Sequence, residues 1–252
     1  MNELEIENRS DRPLFIQEGD RLRGGKQDRT VHTSLVVPPR SGRMPIPTFC
    51  IEHDRWRPRT GQGGEFGATV NLALAQKSVR YAAKVDGDQG KVWHEVAREK
   101  KEMQDSLSAA NATSSLNETI DSPEVTKVTE ATTAALGSVL ATHPDAVGVA
   151  IAVNGKLEEI DLYPGNSLLR KLYPRLLASY AIQGATQQAA AKGAKPVTSA
   201  DVTKFLAEGE ARSKREETVN AQNAAGIVDF DKKVACETRY EGKWVHRQIM
   251  SK

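Results

Sequence analysis

Val147-Gly148-Val149-Ala150-Ile151-Ala152-Val153, then Asn154-Gly155, then Lys156-Leu157-Glu158-Glu159-Ile160-Asp161-Leu162, is the stretch on which the fold turns. Two strand-like runs joined by Asn-Gly carry the type I′ hairpin signature, because both central residues of that turn need positive φ and these two adopt it at little cost. A buried antiparallel hairpin is therefore predicted at the middle of the chain. Downstream, Asn166-Ser167 caps a helix bearing Leu168, Leu169, Leu172, Leu176, Leu177 and Ile182, which Pro174 should kink unless a new helix starts there. Thr198 or Ser199 caps a short helix through Val202, Phe205 and Leu206, and the charged continuation Glu208 to Glu217 reads as solvated. Lys233–Tyr240 and Lys243–Ile249 flank Glu241-Gly242 as a second hairpin.

Upstream of the central hairpin, Asp88 is an N-cap for a helix from about 89 to 106 that buries Val92, Trp93, Val96 and Met103. Ser106 to Asn117 reads as a loop. Ser122 and Pro123 open a second helix whose face runs through Val125, Val128, Ala131 and Val139 toward His143-Pro144. The first sixty residues read as β structure, with Thr30–Val37 and Pro45–Glu52 as neighbouring strands joined by Arg40-Ser41-Gly42-Arg43, and Arg57 to Gly67 as a flexible glycine loop. Leu4-Glu5-Ile6 already resembles an internal strand, which leaves room for a preceding segment. The pattern predicts an α+β fold: a largely antiparallel sheet from the N-terminal β region, the Asn-Gly hairpin and the C-terminal hairpin, packed with about four helices. One domain over 1–252 is expected, β-rich over 1–67 and mixed over 68–252.

Composition narrows the function classes without naming one. The chain has 252 residues, 38% hydrophobic and 27% charged, and a net charge of +2, so no charge excess points to nucleic acid or an anionic membrane surface. No window reaches the ~18 apolar residues of a membrane span. Met1 to Asp20 lacks an apolar leader core, and Cys50 and Cys236 stand far apart as small apolar fillers, so the expected compartment is the reducing cytoplasm.

The chemistry concentrates between Arg21 and Arg59, where nine bases face three acids for a net +6. Arg21-Leu22-Arg23-Gly24-Gly25-Lys26-Gln27-Asp28-Arg29 is a glycine-flanked basic loop whose backbone N–H groups can approach a phosphate or carboxylate while Lys26 and Arg29 neutralise it. It lacks the spacing of a nucleotide-binding P-loop, and a solvated turn with locally paired arginines is the plain alternative. Cys50-Ile51-Glu52-His53-Asp54-Arg55-Trp56 is the second candidate. Strand alternation would put Cys50, Glu52 and Asp54 on one side, with Glu52 as general base and Arg55 as anion clamp, although an exposed strand end shows the same pattern. Trp93-His94-Glu95 reads as core plus surface, whereas Trp244, His246 and Gln248 share a strand face that could reach a cleft. The five histidines share no metal-ligand spacing, and no residue pattern names a cofactor.

The runs Arg23–Pro39 and Pro45–Trp56 resemble a family of bacterial proteins, the ADP-ribosylglycohydrolase- and rhodanese-phosphatase-associated protein domain. The likeness rests on G-G-K-Q-x-R-x-x-x-x-S and C-x-E-x-x-R-W, and continues more weakly at Asp88-Gln89, Val92-Trp93, Val153–Lys156 and Tyr240–His246. It implies a role near ADP-ribose, NAD-derived or phosphoribosyl metabolism and carries over Gly24, Gly25, Lys26, Gln27, Arg29, Cys50, Glu52, Arg55 and Trp56, more loosely Gln89, Trp93 and His246. Two functions follow as expectations. In the first, an enzyme, Lys26 and Arg29 hold phosphate, Trp56 stacks on base or sugar, and Glu52 works as acid or base with Arg55. In the second, a binding module for such a ligand or for a partner enzyme, the cations and Trp56 are kept and Glu52 is dispensable. Both expect Lys26, Arg29, Arg55 and Glu52 to share one concavity.

Overall fold

The computed structural model describes residues 2–58, 64–109, 112–187 and 194–252. Its N-terminal part is β structure throughout: β1 (Asn2–Ile6), β2 (Leu14–Ile16), β3 (Arg21–Gly24), β4 (Arg29–Val31), β5 (Leu35–Val37), β6 (Met44–Cys50) and β7 (Phe66–Ala68). Five of these form a sheet in the order β1-β6-β4-β3-β7, and β2 pairs with β5 as a separate ribbon. Ile16, Val31, Leu35, Val37 and Ile46 fill the space between sheet and ribbon.

The expected single strand over residues 30–37 is broken. His32 still bonds the Pro47 carbonyl of β6, but Thr33 and Ser34 leave the ladder and turn their side chains to the other half of the molecule, where Thr33 meets Lys84 and Ser34 meets His246. Those buried partners decide the break, since a buried polar group without a hydrogen bond costs more than a ladder interruption. The glycine loop expected over 57–67 falls partly outside the described residues, at 59–63, and its end is β7.

Helices follow. α1 (Lys77–Tyr81), not foreseen, runs into a π-helical turn at Ala82–Asp86 that stops at Gly87 with φ +65°. α2 (Gln89–Leu107) starts as expected, with Asp88 accepting the Lys91 N–H at 3.0 Å. The loop after it holds α3 (Leu116–Ile120), capped by Ser115. α4 (Pro123–Leu136) has proline in its first turn and ends before His143, with a 3-10 turn at Val139–Ala141. Val79, Val92, Val96, Met103, Leu116 and Ile120 close the core between these helices and the end of β6. Fully burying a side chain of this kind stabilises by roughly 2 kcal/mol.

The central hairpin is present as β8 (Gly148–Val153) and β9 (Lys156–Leu162), with Asn154 at φ +53° and Gly155 at φ +75°. α5 (Asn166–Thr186) is capped by Gly165 rather than Asn166 and runs through Pro174 as one helix. α6 (Ser199–Ala207) carries a full capping box between Thr198 and Asp201. The charged segment after it is a strand, β10 (Ala211–Thr218), followed by β11 (Asn223–Phe230), β12 (Lys233–Tyr240) and β13 (Lys243–Ser251). Glu241 and Gly242 turn the last hairpin at φ +49° and +76°. The second sheet has the order β10-β11-β12-β13-β9-β8, and every strand pairing among the described residues is antiparallel. The fold is α+β, built on two antiparallel sheets and a ribbon. No helix among the described residues is long and apolar enough to cross a membrane.

Candidate functional site

The turn from β3 to β4 is shaped by what lies against it. Gly24 sits at φ +147°, and a Cβ there would come within 2.2 Å of the Glu65 carbonyl oxygen. Only glycine lets β7 approach that closely. Asp28, fully buried, holds the turn shut: one carboxylate oxygen accepts the Gly24 N–H at 3.1 Å and the other accepts the Ser115 hydroxyl at 2.9 Å.

Glu52 and Arg55 complete this knot. Arg55 donates from Nε to Glu52 Oε1 and from Nη2 to Oε2, both at 2.6 Å, a bidentate pair. Glu52 Oε2 also accepts the Asp28 N–H at 3.0 Å, and Arg55 Nη1 donates to the carbonyls of Gly25 at 2.9 Å and Arg57 at 2.7 Å. Beside them Arg29 points its guanidinium at the Cys50 thiol, and Gln89 grips the Cys50 backbone with two bonds of 2.9 Å, docking the start of α2 on the end of β6. One turn further along α2, Trp93 meets the His53 ring edge-on at 4.5 Å.

A hollow of about 580 Å³ opens next to this cluster, between α2 and the turn at 53–54. His53, Asp54, Trp93, His94, Lys100 and Ser114 line it. Its size lies in the range of small-molecule sites. Burial lowers the pKa of the Lys100 ammonium, against the pull of Glu118 and Glu52. Gln27 Nε2, Arg29 Nε and Trp93 Nε1 are buried donors without a hydrogen-bond partner among the described residues. Unsatisfied buried donors are rare in native structures and call for an explanation.

Gly24, Gly25, Gln27, Arg29, Glu52 and Arg55 are thus brought together by β3, β4 and β6. Lys26 and Trp56 are exposed, Trp56 at 65%. The rest of the cationic tract disperses: Arg21 is buried against Asn71, Ala73 and Asn117, while Arg40 and Arg43 pair at the surface with Asp11 and Glu5. Arg59 lies outside the described residues. The expected alternation past Cys50 fails, since β6 ends there and Asp54 adopts φ +57°, leaving its side chain 75% exposed. Sequence reasoning took Trp93 and His94 as core and surface; both line the hollow.

His246 stands apart, inside the second sheet. Its Nδ1 faces Ser34 Oγ at 2.9 Å and its Nε2 faces Asp161 Oδ1 at 2.8 Å, while Tyr163 stacks on the ring at 5.0 Å. Ser34 Oγ also accepts the Glu18 N–H at 3.0 Å. Although burial works against it, hydrogen bonds from His246 and Tyr180 hold the Asp161 carboxyl below the usual aspartate range. Next to it Arg80 grips Glu159 in a second bidentate pair, at 2.5 and 2.6 Å. Ser34, His246 and Asp161 expose 1% of their surface or less, and the two imidazole nitrogens face the opposite partners from those in a serine hydrolase triad. The chain ties the 32–34 break to the second sheet. A bulge between Thr238 and Arg239 in the β12–β13 register takes Trp244 off the His246 face and places it under Arg247, 4.7 Å from the ring. None of Ser34, Arg80, Glu159 and Asp161 was read as functional; the signal that could have flagged two of them is the alternation Glu159-x-Asp161 in β9, where both carboxylates are buried and Asp161 stands opposite Gln248.

Among the described residues no group of three or more His, Cys, Asp or Glu is placed to hold a metal ion. Comparison with curated proteins and with solved structures gave no match. The model of one family matches residues 1–250, and the chain belongs to that family, the ARG and Rhodanese-Phosphatase-superfamily-associated Protein domain.

Proposed function

We propose that this protein is an accessory binding module of ADP-ribose, NAD-derived or phosphoribosyl metabolism, which holds a phosphorylated ribose compound in the hollow beside α2 without transforming it. One observation carries this reading over catalysis: both Glu52 oxygens are held by Arg55 and one of them also by the Asp28 N–H, so the carboxylate organises the loop instead of accepting a substrate proton. The unpartnered Trp93 donor and the Lys100 cation, both on residues of the hollow's wall, supply contacts for phosphate and ribose. Lys26 and Trp56, exposed on the two segments that Arg55 ties together, add charge and a stacking surface. The family's association with ADP-ribosylglycohydrolases agrees with such a ligand.

Calorimetric titration with ADP-ribose, NAD and ribose 5-phosphate, with chromatography of each mixture afterwards, tests it. Saturable binding of one compound that is recovered unchanged is expected. Consumption of a ligand would move the reading to an enzyme, and no binding of any of the three would remove the ligand class.

A further inference from the structure

Away from that hollow, the junction of α1, α2 and α5 encloses a cavity of about 60 Å³. Gln76, Glu99 and Gln183 reach its wall, each more than nine-tenths buried. Glu99 Oε1 is satisfied by the Ser78 hydroxyl at 2.6 Å and the Val79 N–H at 3.3 Å, but Oε2 has no partner. Neither polar atom of the Gln76 amide has one. The two cations at the rim are engaged elsewhere, Arg98 with Glu95 and Glu102, Lys77 with Glu158 and Ser251. Met103 and Ile182 add an apolar patch to a largely polar wall.

We propose that this cavity is a binding site for a monovalent cation of the potassium or ammonium type, coordinated by Glu99 Oε2 and Gln76 Oε1 with Gln183 on the α5 side. Glu102, the other carboxylate of the lining, is taken up by Arg98, so Glu99 alone offers a compensating charge, which excludes a divalent ion that needs several hard anionic oxygens. The volume admits a dehydrated ion with one or two waters and nothing of metabolite size. Burial pushes the Glu99 carboxyl up to about 7, against the Ser78 and Val79 hydrogen bonds and the charge of Arg98. A bound cation would join α1, α2 and α5 at the back of the helix that carries Trp93.

Thermal unfolding of the full chain in potassium, ammonium, sodium and choline chlorides at equal ionic strength, above pH 7, provides the test. A saturable rise of a few degrees in potassium or ammonium over choline is expected, absent in both Glu99→Gln and Gln76→Met. Direct binding is read on the unmodified protein by thallium-205 NMR, with displacement by potassium. Equal midpoints in all four salts and no bound thallium signal would mean that the cavity holds water against a protonated Glu99, which overturns the proposal. A cation effect that survives in both variants overturns it as well, because the ion would then sit elsewhere.

Discussion

Arg55 holds Glu52, three residues before it, through two parallel hydrogen bonds of 2.6 Å, and the same guanidinium reaches the Gly25 carbonyl across the loop. The pair is a clamp: it fixes the basic glycine loop to the end of β6 and consumes the charge that a catalytic carboxylate would need. Breaking a buried pair on one side strands the other charge, whereas replacing both partners does not. Glu52→Gln should therefore destabilise by roughly 3 kcal/mol in urea unfolding, and Glu52→Gln combined with Arg55→Met should recover part of that loss.

At Gly24 both the left-handed backbone and the nearby Glu65 carbonyl oppose a side chain. Gly24→Ala is expected to cost about 2 kcal/mol or more. Gly42, with open space around its missing Cβ, serves as the control, and Gly42→Ala should change the denaturation midpoint little.

Trp93→Phe keeps the ring against His53 and removes the unpartnered Nε1 donor. Stability should be unchanged or slightly raised, while affinity for the ribosyl phosphate found by titration falls about fivefold, the worth of one hydrogen bond. Lys100→Ala should weaken binding further and reduce its salt dependence. Equal affinities in all three proteins would place the ligand outside the hollow.

Ser34→Ala leaves a buried imidazole nitrogen unpaired and should cost about 1–3 kcal/mol in chemical denaturation. A fluorophosphonate should not label Ser34 in the folded protein, since the hydroxyl is fully buried. The sign of the acid dependence follows from Asp161: its folded pKa lies below the ordinary 3.8, so its stabilisation is complete at neutral pH and is lost as pH falls below about 4. Asp161→Asn should flatten the acid limb of the stability curve there.

Glu99 works in the opposite direction. Its folded pKa of about 7 exceeds the ordinary 4.5, so the folded state binds the extra proton and stability falls as pH rises between those values. In choline chloride the loss should approach at most about 1.4 kcal/mol per pH unit and disappear in Glu99→Gln. Midpoints measured from pH 4.5 to 7 check it.

What the residues settled alone was local. Asn154-Gly155 and Glu241-Gly242 turn their hairpins because positive φ is a property of two adjacent residues, and Asp88 and the Thr198–Asp201 box start their helices because a cap acts over three residues. The Gly24–Arg29 and Cys50–Arg55 runs were likewise legible, since β4 and β6 are neighbours and a strand pair brings such runs side by side. Other features were decided only by folding. The charged segment Ala211–Thr218 is a strand because β11 supplies its hydrogen bonds, though its exposed side chains read as solvated. Ser34 leaves its strand for His246, 212 positions away, and Asp161 meets the same ring across 85. A buried polar group takes whichever partner the packing brings within reach, and that pairing belongs to the whole molecule, while turn and cap energies are fixed within a few residues of the chain.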